Sequence, residues 1–440
     1  MTLAMSRKSK TPATSVLARS RELVGLAAQL SKKEIGSRVS EFISQHDGAK
    51  KLQTQVEQAT KLVDSLGRLK GAAMKVGQLL SIEAADFLPP EVIEVLAKLQ
   101  DKAPPVPFAE LAAVVREDLG EATFARLELE ETALACASIG QVHRARFQNQ
   151  DVAIKIQYPG INDSICADLI ILRRIVQAML IMGGRRMRTD ALFAELEAVL
   201  KQEVDYAAEA RMLGEYANGI RSLSGFRVPT VVPELVGPRV LGMSFEPGLK
   251  IQEWLDTNPG PELREYFGRQ ILDLYTHEFF EMGLVQSDPN FANFLFRPDT
   301  RELVLLDFGA TRRYSPEFRA DYSKLLHLVR SGSFDSIVAH SMKMGFIMEG
   351  ESKECLEDFV AMLTLSTEPF NPRRQPFDFS DLDYAKEVRR ATGAFTSKVR
   401  HTPPPHTLIF LHRKLGGIFS LIKKLNVTID LLPYWKHIVG

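Results

Sequence analysis

The chain has 440 residues, 45% of them apolar, which is enough for two domains or one two-lobed enzyme with an ample core. Its 55 Lys and Arg residues balance its 55 Asp and Glu residues, so the net charge gives no sign of a nucleic-acid partner. The three cysteines are too widely spaced for a disulfide framework or a metal motif, which favours a reducing compartment.

The N-terminal residues 1–50 are predicted to form a basic arm that is disordered or weakly helical. The first 21 residues contain five Lys or Arg and no acid, and they lack the apolar stretch of a signal peptide. A transit peptide and a segment attracted to anionic lipid are the alternatives. No apolar run is long enough for a transmembrane helix, because Arg173 and Arg174 interrupt the best candidate, residues 169–182.

Residues 51–118 are predicted to be helical, because apolar residues recur there at helical spacing. Lys75 and Gln78 lie three residues apart and therefore share one helix face. On these residues alone, a solvated Lys/Gln pair is the ordinary explanation.

From about residue 122 the pattern becomes strand-like, and one segment aligns with the glycine-rich loop of kinases, G-x-G-x-x-G-x-V. Gly140 and Val142 match the third glycine and the valine, whereas Ala135 and Ala137 stand in place of the first two glycines. Alanine disfavours positive φ and adds a methyl group where backbone should approach phosphate, so we expect a different nucleotide pose. The candidate nucleotide-binding residues of this segment are Ala135, Cys136, Ala137, Ser138, Gly140 and Val142.

The next predicted strand, 152–155, reads Val-Ala-Ile-Lys, the sequence that carries the phosphate-binding lysine of kinases. Lys155 then needs a glutamate from a helix. Residues 191–216 read as one helical segment that offers several acids. The residues alone leave the choice open among Glu195, Glu197, Glu203 and Glu209.

Residues 228–245 read as strand and lead into a Pro-Gly turn, which fits the hinge between the two lobes of a kinase. Backbone groups at Met243 and Phe245 would then pair with adenine. The predicted boundaries are residues 119–245 for the N-lobe and 246–440 for the C-lobe. Within the C-lobe, residues 416–425 are expected to pack in the core rather than to touch lipid.

The C-lobe contains the strongest motif of the chain. Asp288 is followed five residues later by Asn293, and an apolar strand then leads into Asp307-Phe308-Gly309. This order and spacing are typical of the metal-binding and catalytic half of a kinase active site. Asn293 and Asp307 would supply oxygen ligands for Mg²⁺, and Asp288 would accept the proton of the attacking hydroxyl or water.

Taken together, these motifs resemble the UbiB family of atypical kinases, and within it the subgroup linked to coenzyme Q biosynthesis. The resemblance covers about residues 55–435. It rests on five segments: Lys75-Val-Gly-Gln78, the alanine-rich loop with Cys136 in place of its central alanine, Glu203-Val-Asp205, the segment from Gln286 to Asn293, and Asp307-Phe-Gly. Thr-Pro-Pro-Pro at 402–405 and Leu-His-Arg-Lys at 411–414 also look like that subgroup.

The resemblance implies roles that the spacing does not show. Lys155 pairs with Glu209, and Lys75, with Gln78 beside it, reaches over the active site, held by Glu203 and Asp205. The cofactors are ATP and Mg²⁺. Gln286-Ser287 stands where protein kinases have His-Arg, so switching by loop phosphorylation is not expected.

The expected fold is α+β, a bilobal protein-kinase-like fold with a helical N-terminal extension packed over the active site and a mostly helical C-lobe. The expected function is ATP hydrolysis or phosphate transfer to a small or lipid-associated acceptor in support of ubiquinone biosynthesis. An ATP-gated lipid-binding scaffold is the alternative, and an ordinary protein kinase is disfavoured.

The expected partners are a quinone-precursor lipid, a membrane surface, other ubiquinone-biosynthesis proteins and a second copy of the chain, with no nucleic acid. The expected location is the cytoplasmic side of a bacterial inner membrane, with the mitochondrial matrix face as the alternative.

Overall fold

The computed structural model describes residues 106–137, 139–182, 190–288, 290–399 and 406–439. They fall into two compact units. The first contains residues up to Tyr206 together with Pro233–Gly242, and the second contains Ala207–Val232 together with the rest of the chain from Met243. The predicted N-terminal arm, Lys75, Gln78 and Ser138 lie outside the described residues.

The first unit is built on an antiparallel hairpin sheet. Its full strand order is β1-β2-β3-β6-β5, and β5 and β6 run on into the second unit. The elements are α1 (Phe108–Leu119), α2 (Glu121–Phe124), β1 (Leu127–Cys136), β2 (Gly140–Phe147), β3 (Gln150–Gln157), α3 (Ile161–Met182), α4 (Asp190–Glu203), α5 (Tyr206–Gly219), β4 (Phe226–Arg227), β5 (Val231–Val236) and β6 (Val240–Ser244), of which α5 and β4 belong to the second unit.

The second unit is mostly helical, with a four-stranded sheet of order β4-β10-β9-β7 and a short β11-β8 pair. Its remaining elements are β7 (Leu249–Lys250), α6 (Ile251–Asp256), α7 (Pro261–Thr276), a π-helix (His277–Met282), β8 (Leu284–Gln286), a 3₁₀ turn (Phe291–Asn293), β9 (Phe294–Arg297), β10 (Glu302–Leu305), β11 (Thr311–Arg313), α8 (Pro316–Ser331), α9 (Phe334–Lys343), α10 (Lys353–Thr367), two 3₁₀ turns (Glu368–Phe370 and Pro372–Arg374), β12 (Phe377–Asp378), α11 (Leu382–Lys398), α12 (His406–Leu425), β13 (Thr428–Ile429) and α13 (Leu432–Val439).

Helix α1 packs on the sheet of the first unit. It buries Leu111, Val114 and Val115, and at its end the carboxylate of Asp118 accepts hydrogen bonds from the backbone and guanidinium of Arg239. The predicted boundary between the helical extension, residues 51–118, and the N-lobe stays a prediction. Within the part of that segment that the structure describes, helix α1 packs against β3.

The helical segment predicted over 191–216 is two helices. Helix α4 ends at Glu203 and α5 begins at Tyr206. Gln157 on β3 is buried, and its side-chain amide donates to the carbonyl of Val204 at 2.5 Å. This hydrogen bond ties the break between the two helices to the sheet. A hydrogen bond from a distant strand is invisible to helical periodicity, which explains why the prediction of one segment was wrong.

The core of the second unit is rich in aromatic rings. Trp254 is fully buried, stacks on Phe296 at 4.7 Å and meets the edge of Phe267 at 5.0 Å. On α12, Leu421 and Ile422 are buried, which confirms that residues 416–425 pack in the core. Among the described helices, none is long and apolar enough to cross a membrane.

Candidate active site

The catalytic motif of the second unit follows β8 directly. The side-chain amide of Asn293 donates to the carboxylate of Asp288 at 3.0 Å, so two residues that are five positions apart in the chain meet. Asn290 starts the intervening 3₁₀ turn, because its side chain accepts a hydrogen bond from the Ala292 amide. Asn293 is buried and Asp288 is half-buried, so part of the Asp288 side chain reaches the surface.

Asp307 lies beside this pair, because the Leu306 amide donates to the Asn293 carbonyl at 2.8 Å. The backbone of Asp307 has φ 61°, in the left-handed region that non-glycine residues rarely adopt. Its Oδ1 accepts the Gly309 amide at 3.2 Å, which orients the carboxylate. The structure thus brings together the predicted Asp288, Asn293 and Asp307.

Glu209, on the first turn of α5, belongs to this same site. A Cβ atom added at Gly309 would lie 3.4 Å from Glu209 Oε2 and 3.5 Å from Asp307 Oδ1. Gly309 therefore leaves the space between two carboxylates open, which any larger residue would fill. Glu209 is buried. Its predicted pairing with Lys155 would join the two units and stays a prediction.

In the first unit, the alanine-rich loop connects β1 and β2. Ala135, Cys136 and Ala137 are exposed, and none of the three has positive φ. The turn closes through the Ala137 amide, which donates to the Gly140 carbonyl at 2.8 Å. The backbone of these residues therefore does not need the conformational freedom of glycine, and their methyl and thiol groups face solvent.

Packing restricts Gly140, the first residue of β2, to glycine. An added Cβ atom would lie 2.4 Å from the Ile156 carbonyl oxygen and 2.9 Å from the Tyr206 hydroxyl. The prediction placed Gly140 at the third glycine of a phosphate loop. The structure adds that the close approach of β2 to β3 requires glycine there.

Lys155 lies on β3, opposite Val142 on β2. Its ammonium group lies 5.0 Å from the centroid of the Tyr206 ring, a cation–π distance. Glu203 ends α4 and is half-buried, whereas Asp205 is exposed in the break before α5. Their predicted partner Lys75 lies outside the described residues, so this contact stays a prediction.

The predicted hinge residues Met243 and Phe245 are half-buried around the end of β6. The segment between and after them is fixed within the second unit, because Ser244 Oγ donates to Glu246 and Arg297 pairs with Glu246 at 2.6 Å. The pairing of this backbone with adenine remains a prediction.

A buried polar network beneath the site was missed by the sequence analysis. The ammonium group of Lys414 lies 3.1 Å from Glu278 Oε2, and the two side chains are 2% and 0% exposed. Lys414 also donates to Gln286 Oε1 at 3.3 Å. The Leu-His-Arg-Lys segment of the sequence was the only signal for it, and its partners lie far away in the chain.

Comparison with known proteins places these features in a family. Residues 98–341 match the model described as the ABC1 atypical kinase-like domain. The chain is 31% identical to the atypical kinase COQ8 of Saccharomyces cerevisiae over 86% of its own length and 75% of that protein. It is 32% identical to COQ8B of Rattus norvegicus over 92% of its length and 75% of that protein.

A solved structure gives the same fold. The complex of Rv3197 with erythromycin from Mycobacterium tuberculosis aligns with a TM-score of 0.61 at 25% identity, covering 93% of this chain and 98% of that one. The α+β kinase-like fold expected from the sequence is therefore confirmed.

Proposed function

The chain belongs to the ABC1 atypical kinase-like family, and from that premise we propose that it binds Mg·ATP and either hydrolyses it or transfers phosphate to a small or lipid-associated acceptor. The membership makes it a kinase-class enzyme of the UbiB group linked to ubiquinone biosynthesis. The observation that carries the proposal is the convergence of Asp288, Asn293 and Asp307 on neighbouring backbone segments.

The donor set fits Mg²⁺. Asn293 turns its amide nitrogen toward Asp288, which leaves its amide oxygen facing away, and Asp307 supplies an exposed carboxylate. Among the residues that the structure describes, no three His, Cys, Asp or Glu side chains form a metal cluster. Mg²⁺ typically takes only one or two carboxylates and fills its remaining positions with water and substrate phosphates. When bound, Mg²⁺ would neutralise charge on those phosphates.

The residues of the chain then have distinct tasks. The hydrogen bond from Asn293 orients the carboxylate of Asp288, which would accept the proton of an attacking hydroxyl or water. The Gly309 amide holds the carboxylate of Asp307 in one orientation. Lys155 and the loop from Ala135 to Gly140 would bind the phosphates, as the family resemblance implies.

The segment after the metal motif supports a small acceptor. Strand β11 ends at Arg313 and α8 begins at Pro316, so no long activation segment separates them. Strand β11 instead pairs with β8, with Thr311 opposite Gln286. Ser287, where protein kinases have arginine, is buried and donates to the Ala310 carbonyl. This arrangement supports an acceptor smaller than a protein.

The relatives named above are mitochondrial. We infer a peripheral location at the matrix face of the inner membrane or, in a bacterium, at the cytoplasmic face. Quinone-precursor lipid, other ubiquinone-biosynthesis proteins and a second copy of the chain are the partners that this role would require.

The test is ATP turnover by the purified chain with Mg²⁺, with and without anionic vesicles and a quinone-precursor-like phenol, measuring free phosphate and phosphorylated phenol separately. Asp288→Asn should bind ATP but lose ~10²-fold or more in turnover, the scale of general-base assistance. Asp299→Asn, an exposed acid of the same unit, is the control and should not differ from the wild type.

Tight ATP binding without turnover in the wild type would contradict the proposal. It would favour an ATP-gated lipid-binding scaffold instead.

A further inference from the structure

Lys414 and Glu278 form an ion pair that is removed from water. Glu278 Oε1 accepts hydrogen bonds from the Tyr216 hydroxyl at 2.6 Å and from the Gln286 amide at 3.0 Å, while its Oε2 faces the Lys414 ammonium. Burial, with the nearby Glu278 carboxylate, raises the pKa of Tyr216 well above its ordinary value, so the phenol stays a donor. Every oxygen of the buried carboxylate therefore faces a donor or a cation.

Burying such a pair costs free energy that apolar packing would not. Burying two charges carries a desolvation penalty, and apolar residues of similar volume often stabilise a fold as well or better. Glu278 also lies in the π-helix His277–Met282, a rare conformation that recurs at functional sites. Both features indicate a role beyond packing.

The pair contacts all three segments that carry the candidate metal site. Through Gln286 it meets the strand before Asp288. The Lys414 ammonium lies 5.6 Å from the centroid of Phe294, the residue after Asn293. Through Glu278 and Tyr216 it reaches the Phe308 ring, 4.7 Å from that of Tyr216, in the residue after Asp307.

The link to Asp307 is direct. Gln286 Nε2 donates to the Asp307 carbonyl at 3.1 Å, while the amide oxygen of the same side chain accepts from Lys414. Accepting from Lys414 fixes which end of the Gln286 amide faces Asp307. Because Asp307 holds a positive φ that costs free energy, its backbone needs such a constraint to keep the carboxylate in place.

We propose that Lys414 and Glu278 are positioning residues for the metal site, acting through Gln286 to hold Asp307 in its metal-binding conformation. The proposal rests on the proposed function, in which Asp307 binds Mg²⁺. It assigns to the C-terminal helix α12 a part in the catalytic centre.

The first experiment needs no ligand. Hydrogen exchange is measured in the nucleotide-free chain for the peptide that contains Leu306 and Gly309, whose amides hold the site together. Lys414→Met removes the donor and keeps most of the unbranched side chain, and it should speed exchange in that peptide relative to a reference peptide from β3.

The second experiment measures ATP binding at increasing Mg²⁺. Lys414→Met should raise the half-saturating Mg²⁺ concentration ~10-fold or more, the range found when residues behind metal ligands are removed. The affinity for metal-free ATP should not change. Gln286→Met leaves the ion pair intact, so it should fold even if Lys414→Met does not, and it should give the same shift.

Two controls separate positioning from stability and from charge. Leu421→Ala truncates a buried residue of the same helix and should lower the melting temperature while Lys414, Glu278 and Gln286 keep their side chains. Lys423→Met removes an exposed charge from that helix. Neither should shift the Mg²⁺ dependence.

An unchanged Mg²⁺ dependence in Lys414→Met and Gln286→Met would overturn the proposal, as would an equal shift in Leu421→Ala. If the wild type shows no Mg²⁺-dependent ATP binding, the proposed function fails, and hydrogen exchange alone decides the inference. Faster exchange in Lys414→Met would then still support it, and unchanged exchange would overturn it.

Discussion

In the second unit, the candidate metal residues pack on buried aromatic rings and a buried ion pair. In the first unit, the alanine-rich loop lies at the exposed end of a hairpin. Asp307 and Asn293 are tied by backbone and side-chain hydrogen bonds from three segments. Ala135 to Ala137 are exposed, and backbone pairing with β2 holds them: Ala135 lies opposite Val142, Cys136 lies opposite Gln141, and the Ala137 amide donates to the Gly140 carbonyl. The candidate metal residues are thus held by side chains as well as by backbone, whereas the alanine-rich loop is held through its backbone.

This difference in support suits the roles proposed for the metal residues and for the alanine-rich loop. A metal ligand has to hold its oxygens within a few tenths of an ångström, so its support must be rigid. A loop that covers phosphates has to let nucleotide enter and leave, which a well-packed loop would slow. The exposed alanine-rich loop suits the entry and exit of nucleotide, whereas the buried Lys414 suits a rigid metal site.

The largest expected effect is on the aromatic core of the second unit. Trp254→Ala should destabilise the second unit by about 3–5 kcal/mol, because it leaves a cavity between Phe267 and Phe296. Thermal unfolding followed by circular dichroism measures this. Trp435→Ala is the control, because Trp435 is only half-buried and should cost much less. Equal losses of stability in the two variants would show that fully buried Trp254 contributes no more than half-buried Trp435.

The next effect concerns the first unit. Gly140→Ala should destabilise the hairpin by about 1–3 kcal/mol, because its Cβ atom would clash with the Ile156 carbonyl. Faster hydrogen exchange in peptides from β2 and β3 would report it. Gly214→Ala, with nothing near the added methyl group on helix α5, should be neutral or slightly stabilising. Unchanged exchange rates in Gly140→Ala would show that the hairpin accommodates the added methyl group.

Lys155→Met should weaken ATP binding by roughly 10-fold, which corresponds to about 1.4 kcal/mol, because it removes a charged hydrogen-bond donor to phosphate. Isothermal titration calorimetry measures the affinity. Lys201→Met, an exposed lysine of the same unit, serves as the control. If both variants bind as the wild type does, Lys155 is not a phosphate ligand.

The smallest expected effect is protection of the exposed loop. Mg·ATP should slow alkylation of Cys136 several-fold while leaving Cys166, also exposed, unaffected. Cys355 is fully buried, and this burial raises its pKa to about 11, so it should stay unmodified in either state. Mass spectrometry of each cysteine peptide gives the three rates. Equal rates for Cys136 with and without nucleotide would place the loop away from the phosphates.

The site was predictable from the sequence wherever the chemistry depends on local spacing. Asp288 and Asn293 lie five residues apart, and the strand before Asp307 was recognisable from its apolar run, so both contacts followed from the motif. Lys155 on β3 followed in the same way from Val-Ala-Ile-Lys. The confirmed fold rests on the same local patterns.

The supports of the site were not predictable, because they join distant parts of the chain. Lys414 and Gln286 are 128 residues apart, and a lysine on a helix is normally solvated. Helical periodicity also could not show the break after Glu203, which depends on Gln157 of β3. These features depend on tertiary packing, which cannot be predicted from the residues of a single segment.

The central claim is that Asp307 binds Mg²⁺ together with ATP. The direct measurement is calorimetric titration of ATP at increasing Mg²⁺ into the wild type, Asp307→Asn and the surface control Asp299→Asn. We expect Mg²⁺ to strengthen ATP binding in the wild type and the control, and this gain to be mostly lost in Asp307→Asn. An undiminished gain in Asp307→Asn would contradict the account.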